Sequence, residues 1–311
     1  MVELPVISIA LCTYNGERFL RELLDSIQSQ TYEKLEFVVV DDHSSDQTWD
    51  ILTSYAESDQ RFRLYRNEEN LGYNRNFEKA LALCTSDLIA ICDQDDVWHP
   101  EKISLMQQNI GSNLLLYHDS ALIDADGVDM NFRISDKFNF YRGADPTVFL
   151  MMNCVSGHSI LLKRDLLNHI FPIPEHSPYD HWIAYVATLN GSIDYLDQTL
   201  VRYRQHGENA TDLLAARKTR ENGIDVKINA LKNESNWLKV CGSRFRQAPL
   251  LVRTLLQMSE QRNRSYVMLS YGWEIWKNQQ SLLFLMKKNQ VSRFFFALRK
   301  IWGIPTKMIW H

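Results

Sequence analysis

The sequence predicts an α/β fold, a mostly parallel sheet flanked by helices, with a helical region at the carboxyl-terminal end. Short apolar runs alternate with stretches of helical spacing through the first two thirds of the 311 residues. Such alternation is typical of a parallel sheet covered by helices on both faces. Beyond about residue 212 only helical spacing continues. We therefore predict a domain over residues 1–212, whose halves meet near residue 105, and a helical region over residues 213–311.

The individual elements follow from apolar runs for buried strands and from amphipathic spacing for helices. The strands predicted in the first half are residues 6–12, 37–40, 63–66 and 88–92. Three helices are predicted in the same half. The first begins at about residue 17, the second follows an N-terminal cap at or near Asp46, and the third covers residues 76–83. In the second half we expect strands at residues 114–118, 193–196 and 199–203, a turn at 123–127 and a helix over 177–189. Residues 153–162 combine a polar, flexible stretch with an apolar strand.

Three carboxylates follow the strand at residues 88–92 and suggest a metal site. Asp93, Asp95 and Asp96 lie within four residues of one another. Like charges this close repel, and a divalent cation relieves the repulsion. Oxygen ligands suit Mg²⁺ or Mn²⁺, and Mg²⁺ typically joins such carboxylates to substrate phosphates. The alternative is an acidic turn before a helix that begins near Pro100.

The ends of the predicted parallel strands locate a pocket. Ligands of open α/β sheets bind in the crevice beyond the carboxyl ends of the strands. Tyr14, Asp42 and Asp95 each follow such an end, so we expect them to line one pocket.

The bulk properties exclude several classes of protein. A net charge of −4 gives no general attraction to nucleic acid. No apolar run is long enough to span a bilayer, and the first residues lack the basic start of a signal peptide. The five cysteines are odd in number and lie mostly in apolar runs, so we expect reduced core thiols. These features predict a cytoplasmic location.

Four motifs in order resemble one known family. ISIALCTYNG, VVVDDHSSDQT, NLGYNRNFEKAL and CDQDDVWHPEK are similar to the nucleotide-sugar domain of inverting family 2 glycosyltransferases, which have the GT-A fold. The resemblance covers about residues 4–210. Within that family, DQDDVWHPEKI and YRQHGENAT most resemble bacterial rhamnosyltransferases of surface-polysaccharide synthesis. The resemblance implies transfer of a sugar, L-rhamnose from dTDP-β-L-rhamnose, to a glycan or lipid-linked glycan. A UDP-hexose donor such as UDP-glucose or UDP-galactose stays open.

The resemblance also implies which residues bind the nucleotide. Asp42 would accept a hydrogen bond from the imide nitrogen of uracil or thymine, a task for an acceptor-only group. Thr13, Tyr14 and Asn15 would flank the base and ribose. Arg75 would reach the diphosphate, or would be an exposed helix residue.

The same resemblance assigns the metal ligands. Asp93 and Asp95 match the outer positions of the DXD motif, and Asp95 is the better match to the metal ligand. His206 would supply a further metal ligand or bind the diphosphate. Asp96 would orient the site or touch the sugar, and Trp98 would belong to the sugar and acceptor region.

The predicted catalytic base is Asp180. The family carries a Glu-Asp pair here, and this chain has Tyr179-Asp180, so only the second residue matches. An acceptor hydroxyl must lose its proton as it attacks, and one carboxylate suffices. The alternative is an aspartate that merely favours the start of a helix. Gly157 and His158 would contact sugar or acceptor, with a buried structural histidine as the alternative for His158.

The final residues suggest a membrane surface. Residues 275–311 contain no Asp or Glu but carry seven Lys and Arg residues between apolar and aromatic clusters. Basic amphipathic helices of this kind bind anionic lipid, here the inner face of the cytoplasmic membrane. The alternative is a helical cap with a solvated basic face.

Two other classes of protein remain as alternatives to an active transferase. A catalytically silent subunit that binds nucleotide sugar would not need Asp180. A nucleotidyltransferase would carry a glycine-rich, lysine-containing loop after the first strand, which residues 13–18 do not form.

Overall fold

The computed structural model describes residues 4–207, 209 and 223–309. Within them, nine strands form a single sheet. The strands are β1 (Ile7–Thr13), β2 (Leu35–Asp41), β3 (Phe62–Arg66), β4 (Leu88–Cys92), β5 (Val97–Trp98), β6 (Leu115–Ile123), β7 (Asp129–Arg133), β8 (Leu161–Lys163) and β9 (Ile193–Arg204).

The described helices belong to two groups, one that covers the sheet and one at the carboxyl-terminal end. The first group is α1 (Leu20–Gln28), α2 (Thr48–Ser58), α3 (Tyr73–Leu83), α4 (Lys102–Asn109), α5 (Ile134–Lys137), α6 (Leu167–Ile170) and α7 (Tyr179–Asn190). The second is α8 (Gly223–Ser243), α9 (Leu250–Arg264), α10 (Leu269–Lys277), α11 (Gln279–Leu282), α12 (Gln290–Arg299) and α13 (Ile304–Ile309).

The sheet has the order β3-β2-β1-β4-β8-β6-β9-β5, with β7 paired to β6. β1 to β4 are mutually parallel, and β6 is parallel to β9. β8 runs antiparallel between β4 and β6, and β5 pairs antiparallel with β9. The predicted mostly parallel α/β fold is therefore confirmed.

Strands that are buried along their length were predicted best. Every residue of β1 is buried, and β4 has the predicted bounds. The sequence predicts two strands where the structure has the single strand β9. The apolar pattern is interrupted within β9, where its pairing with β6 is irregular, and this interruption resembles a gap between two strands. β5 and β7 were not predicted, since one has two residues and the other is mostly exposed. The strand predicted within segment 153–162 is β8, which follows a 3₁₀ turn at Gly157–Ser159 and extends to Lys163.

The carboxyl ends of the parallel strands meet at one edge of the sheet. Thr13 pairs in register with Asp41, and the chain continues from these ends into Tyr14 and Asp42. β4, the next strand in the sheet, ends directly before Asp93. This edge is where the predicted site residues come together.

The carboxyl-terminal helices pack against the sheet domain. Trp237 of α8 donates its Nε1–H to the carbonyl of Phe149 at 3.2 Å. Tyr185 of α7 donates to the carbonyl of Cys241 at 3.0 Å. Leu283, which follows α11, is fully buried in the same apolar core. One face of this region thus packs on the domain as a helical cap, which is the alternative prediction for these residues. The predicted domain boundary near residue 212 lies outside the described residues.

The prediction for the thiols is confirmed, because all five cysteines are buried and free. In the described part of the chain, no helix combines the length and the apolar character needed to cross a membrane.

Candidate active site

A cavity of about 930 Å³ opens at the carboxyl ends of the parallel strands. This volume suits a ligand of nucleotide-sugar size. Tyr14, Asp42 and Asp95 all line it, as predicted from their positions after strand ends. The other predicted site residues on its wall are Thr13, Asn15, Asp93, Gly157, His158, Asp180 and His206.

Asp95 and His206 form a close pair on the wall of the cavity. Nε2 of His206 lies 2.8 Å from Oδ2 of Asp95, although 111 residues separate the two in the sequence. Asn209 donates its Nδ2–H to the same oxygen at 3.2 Å. The ring of Phe19 contacts the imidazole at a centroid distance of 4.8 Å. The structure therefore brings together the two residues that the sequence links to a metal or a diphosphate.

His158 connects Asp93 and Asp96 beneath the cavity. Its Nδ1 lies 3.3 Å from Oδ2 of Asp96 and 3.7 Å from Oδ2 of Asp93. Its Nε2 lies 2.9 Å from Oγ of Ser120, and its ring packs on Tyr203. Burial lowers the pKa of His158, which favours the neutral imidazole. His158 is thus buried and structurally held, and it also lines the cavity.

The donor atoms near these carboxylates suit a divalent cation. Asp93, Asp96 and His158 place ligand atoms within 4.8 Å of one another. Among the described residues, Oδ2 of Asp96 is buried and has no hydrogen-bond partner, although Nδ1 of His158 lies 3.3 Å away. Burial together with the charge of Asp95 raises the pKa of Asp96 well above its ordinary value. Carboxylate oxygens with imidazole nitrogens are the ligands that Mn²⁺ and Mg²⁺ sites use. The residues present therefore fit a hard divalent metal.

Asp180 lies in the first turn of α7 and lines the cavity. It is half-buried, and its Oδ1 accepts a hydrogen bond from the backbone N–H of His181 at 2.6 Å. Burial raises the pKa of Asp180 to about 7, and the nearby charge of Asp93 acts in the same direction. A carboxyl group with this pKa can take up a proton near neutral pH.

Asp42 is held in a fixed orientation by three internal donors. Its Oδ1 accepts from Nδ2 of Asn67 at 2.7 Å and from the backbone N–H of Leu71 at 2.8 Å. Its Oδ2 accepts from the backbone N–H of Gly72 at 2.9 Å. A carboxylate offers about four acceptor positions, so one remains for a ligand. Gly72 has a φ of 78°, a conformation that favours glycine.

The last residue of β1 and the two residues after it line the cavity. Thr13 donates its hydroxyl to Oδ1 of Asp41 at 3.0 Å, which joins β1 to β2. Asn15 accepts at its side-chain oxygen from the backbone N–H of Ser45 at 2.9 Å. Tyr14 is half exposed, so its ring is available to a ligand.

Three predicted residues lie outside the cavity. The guanidinium of Arg75 pairs with Glu78 and Glu175 on the surface, as its alternative prediction has it. Asp96 is fully buried and accepts a hydrogen bond from the backbone N–H of Arg204, and both of its predicted roles, to orient the site or to touch the sugar, stay predictions. Trp98 is a core residue of β5, because its ring packs under the buried Lys102 ammonium at 3.3 Å. Trp98 is not among the residues that line the cavity, and its contact with sugar or acceptor stays a prediction.

Several lining residues were not predicted. Lys137 and Phe138 lie outside the motifs that the sequence offers, whereas Tyr73, Gln94 and Tyr203 lie within motifs but were not singled out. Gln94 had a usable signal, since it stands inside the acidic loop. It accepts from the backbone N–H of Tyr14 at 2.8 Å and so joins the loop after β4 to the one after β1.

A parallel α/β domain with carboxylates at the strand ends and a helical cap is the architecture of GT-A glycosyltransferases. The family comparison agrees, because the model of Glycosyl transferase family 2 matches residues 8–171, slightly more than half of the chain. The chain belongs to this family.

Relatives and solved structures are consistent with that membership. The chain is 26% identical over 263 residues to an uncharacterized glycosyltransferase of Haemophilus influenzae, covering 73% of this chain and 79% of the relative. An uncharacterized glycosyltransferase of Methanocaldococcus jannaschii is 26% identical over 208 residues, covering 64% and 71%.

The solved structures share the fold at low sequence identity. TarS of S. aureus, in complex with UDP-GlcNAc, superposes with a TM-score of 0.59 at 16% identity, over 97% of this chain and 89% of that one. The mannosyltransferase PcManGT of Pyrobaculum calidifontis, in complex with GDP-Man and Mn²⁺, has a TM-score of 0.55 at 18% identity, over 96% and 80%.

Proposed function

We propose that the protein transfers a sugar, with inversion, from a nucleoside diphosphate to a hydroxyl of a lipid-linked or growing surface polysaccharide. The observation that supports this best is the shared cavity, which is lined both by Asp180 and by the Asp95–His206 pair. Sugar transfer needs a base for the acceptor and a means to stabilise the departing diphosphate. The cavity offers a group for each.

Asp180 is the base in this mechanism. Its carboxylate accepts the proton of the acceptor hydroxyl as the hydroxyl oxygen bonds to the anomeric carbon. The bond from that carbon to the diphosphate breaks on the opposite side, so the configuration inverts in a single step. A pKa of about 7 leaves a useful fraction of Asp180 unprotonated at neutral pH.

Other residues that line the cavity hold the sugar donor. The remaining acceptor position of Asp42 receives the imide N–H of uracil or thymine, and Tyr14 packs beside the base. Asp93, which belongs to the cluster with Asp96 and His158, would hold Mg²⁺ or Mn²⁺ together with Asp95 and His206. The metal would supply positive charge for the departing diphosphate. Asp96 and His158 support Asp93 from below the cavity.

The sugar donor we propose is dTDP-β-L-rhamnose. Its support is the similarity of DQDDVWHPEKI and YRQHGENAT to bacterial rhamnosyltransferases; Glu208, Ala210 and Thr211 of the second motif lie outside the described residues. A UDP-hexose is the second candidate, favoured by the complex of TarS with UDP-GlcNAc. A silent subunit is disfavoured by the environment of Asp180, since a binding protein needs no carboxyl group with a pKa of about 7.

We further propose that the carboxyl-terminal helices rest on the inner face of the cytoplasmic membrane. α10 and α12 pack together and expose an aromatic face, which we define as Trp273, Val291, Phe294, Phe295 and Leu298. Basic side chains lie in the same segment, and an anionic surface matches their charge. Lys300 is not among the available cations, because it pairs with the buried Glu234. Residues 310 and 311 of the predicted element lie outside the described residues.

The experiment that tests the transfer reaction supplies dTDP-rhamnose or UDP-hexoses with lipid-extracted glycan acceptors and Mn²⁺. Release of nucleoside diphosphate and the anomeric configuration of the product are followed together by NMR. Inverted product from dTDP-rhamnose supports the proposal, and retention of configuration would contradict it. Inverted product from UDP-hexoses alone would support the proposed transfer reaction but would show that the donor is a UDP-hexose and not dTDP-rhamnose.

A further inference from the structure

We propose that Tyr179 is a positioning residue that holds Asp93 in the orientation needed for donor binding, which depends on the donor-binding role proposed for Asp93. The hydroxyl of Tyr179 donates a hydrogen bond to Oδ1 of Asp93 at 3.3 Å. The two residues come from different parts of the site, since Tyr179 begins α7 beside the base Asp180 and Asp93 follows β4. The hydrogen bond therefore connects the acceptor side of the cavity with the donor side.

Packing fixes the ring of Tyr179. Tyr179 is only 7% exposed, and its ring stacks on Phe77 of α3 with centroids 4.2 Å apart. A ring held on one face by a stacked partner keeps its hydroxyl in one place. The hydroxyl thus reaches Asp93 from a rigid support.

Gly157 provides the space for this hydroxyl. A Cβ atom built at Gly157 would lie 1.8 Å from the hydroxyl oxygen of Tyr179, a distance that no real contact reaches. Gly157 has no positive φ, so the need for glycine here comes from space and not from backbone conformation. The glycine that the sequence places in the sugar and acceptor region therefore serves Tyr179.

His158 approaches the same carboxylate from its other oxygen. Nδ1 of His158 lies 3.7 Å from Oδ2 of Asp93, while Tyr179 contacts Oδ1. The carboxylate is thus enclosed between a hydroxyl and an imidazole, and rotation about its side-chain bonds would break the contact with Tyr179. Tyrosine suits this position because it is neutral and donates, whereas a carboxylate at residue 179 would repel Asp93.

The change that tests this role is Tyr179→Phe, which keeps the stacked ring and removes the hydrogen bond. A hydrogen bond to a charged group supports an effect of about tenfold, so we expect Tyr179→Phe to weaken binding of Mn²⁺-UDP or Mn²⁺-dTDP by about tenfold. The matched control is Tyr55→Phe, because the hydroxyl of Tyr55 donates to Oδ1 of Asp25 at 2.6 Å on the surface of α1 and α2.

The experiment is a double-mutant cycle with Tyr179→Phe, Asp93→Ala, which removes the acceptor, and the double variant. Titration calorimetry measures binding of UDP and of dTDP in the presence of Mn²⁺, and urea unfolding without nucleotide measures the contact itself. We expect the two changes to be non-additive in both measurements, because each removes the same hydrogen bond. A residue with only a structural role would show non-additivity in unfolding but would leave binding unchanged.

Three results would overturn the positioning role. Binding by Tyr179→Phe equal to that of Tyr55→Phe excludes it, as does additivity in the binding cycle. A wild-type chain that binds neither diphosphate overturns it together with the proposed function, and the unfolding cycle still reports separately whether the hydrogen bond exists.

Discussion

Nε2 of His206 and Oδ2 of Asp95 lie 2.8 Å apart across 111 residues of sequence. The loop after β9 thereby closes on the acidic loop after β4. Each loop adjoins one of two paired strands, because β5 begins directly after the acidic loop and β9 ends just before the loop that carries His206. The antiparallel pairing of β5 with β9 therefore brings the two loops together. The pair joins two motifs that are separate in the sequence.

Removal of either partner should weaken the metal-dependent part of nucleotide binding. We expect Asp95→Ala and His206→Ala to reduce Mn²⁺-UDP or Mn²⁺-dTDP affinity at least about tenfold, since loss of even an outer partner of a metal ligand has an effect of that size. Binding in EDTA should change little. Calorimetry with and without Mn²⁺ measures both, and His169→Ala on the exposed face of α6 is the control. Equal losses in Mn²⁺ and in EDTA would contradict a metal role.

Asp180 should control the rate and its pH dependence. Asp180→Asn should lower kcat by about 10²–10⁴-fold, the usual effect of losing a general base. Because the base must be unprotonated, wild-type activity should rise with pH through about 7, the pKa of Asp180. Steady-state rates from pH 5.5 to 8.5 test this, and a flat profile in that range would argue against Asp180 as the base.

The same carboxyl group should lower the stability of the folded protein at high pH. Its pKa is about 7 in the folded state and 3.8 ordinarily, so the folded state binds the proton more tightly. Its contribution to stability is complete below about pH 4 and is lost as the pH rises through 7. We expect Asp180→Asn to raise the thermal midpoint relative to wild type at pH 8 and to change it little at pH 4. An advantage that is equal at both pH values would show that burial does not raise this pKa.

The aromatic face should bind anionic membranes. Truncation of residues 275–311 is unsuitable as a test, because Leu283 and Leu285 are fully buried in the core. Trp273→Ser combined with Phe295→Ser changes only side chains that are 65% and 53% exposed. Burial of two aromatic side chains supports at least a tenfold effect, so we expect at least about a tenfold loss of binding to phosphatidylglycerol vesicles.

The control for membrane binding is Val128→Ser, which removes an exposed apolar side chain from the turn before β7. It should bind vesicles as the wild type does. Equal vesicle binding by the double variant and the control would contradict membrane binding by the aromatic face. The carboxyl-terminal helices would then serve only as a cap on the domain.

The sequence predicted the elements and residues whose environment is local. β4 and the carboxylates after it form one continuous signal, an apolar run followed by acidic residues. Asp42 and Tyr14 were placed in the cavity because parallel strands end at a common edge. Asp180 was predicted from the family resemblance and from its position at a helix start.

Other features depend on contacts between distant segments, which a single sequence does not reveal. Trp98 stands beside the acidic cluster, but its burial under Lys102 depends on how β5 pairs with β9. The bond from Tyr179 to Asp93 depends on the room left by Gly157, which no pattern encodes. Arg75 is a helix residue at the surface, as one of its two predictions states. Its ion pair with Glu175 could not be predicted, because the two residues are far apart in the sequence.

The central claim is that this cavity binds a nucleoside diphosphate sugar with a metal, and thermal shift tests it most directly. A ligand that binds only the folded state raises the unfolding midpoint. The panel is dTDP-rhamnose, UDP-glucose, UDP-galactose, UDP-GlcNAc, GDP-mannose and CMP-sialic acid, each with and without Mn²⁺, on the wild type and Asp95→Ala. We predict the largest rise for dTDP-rhamnose, greater with Mn²⁺ and lost in Asp95→Ala. No rise with any donor would contradict the claim.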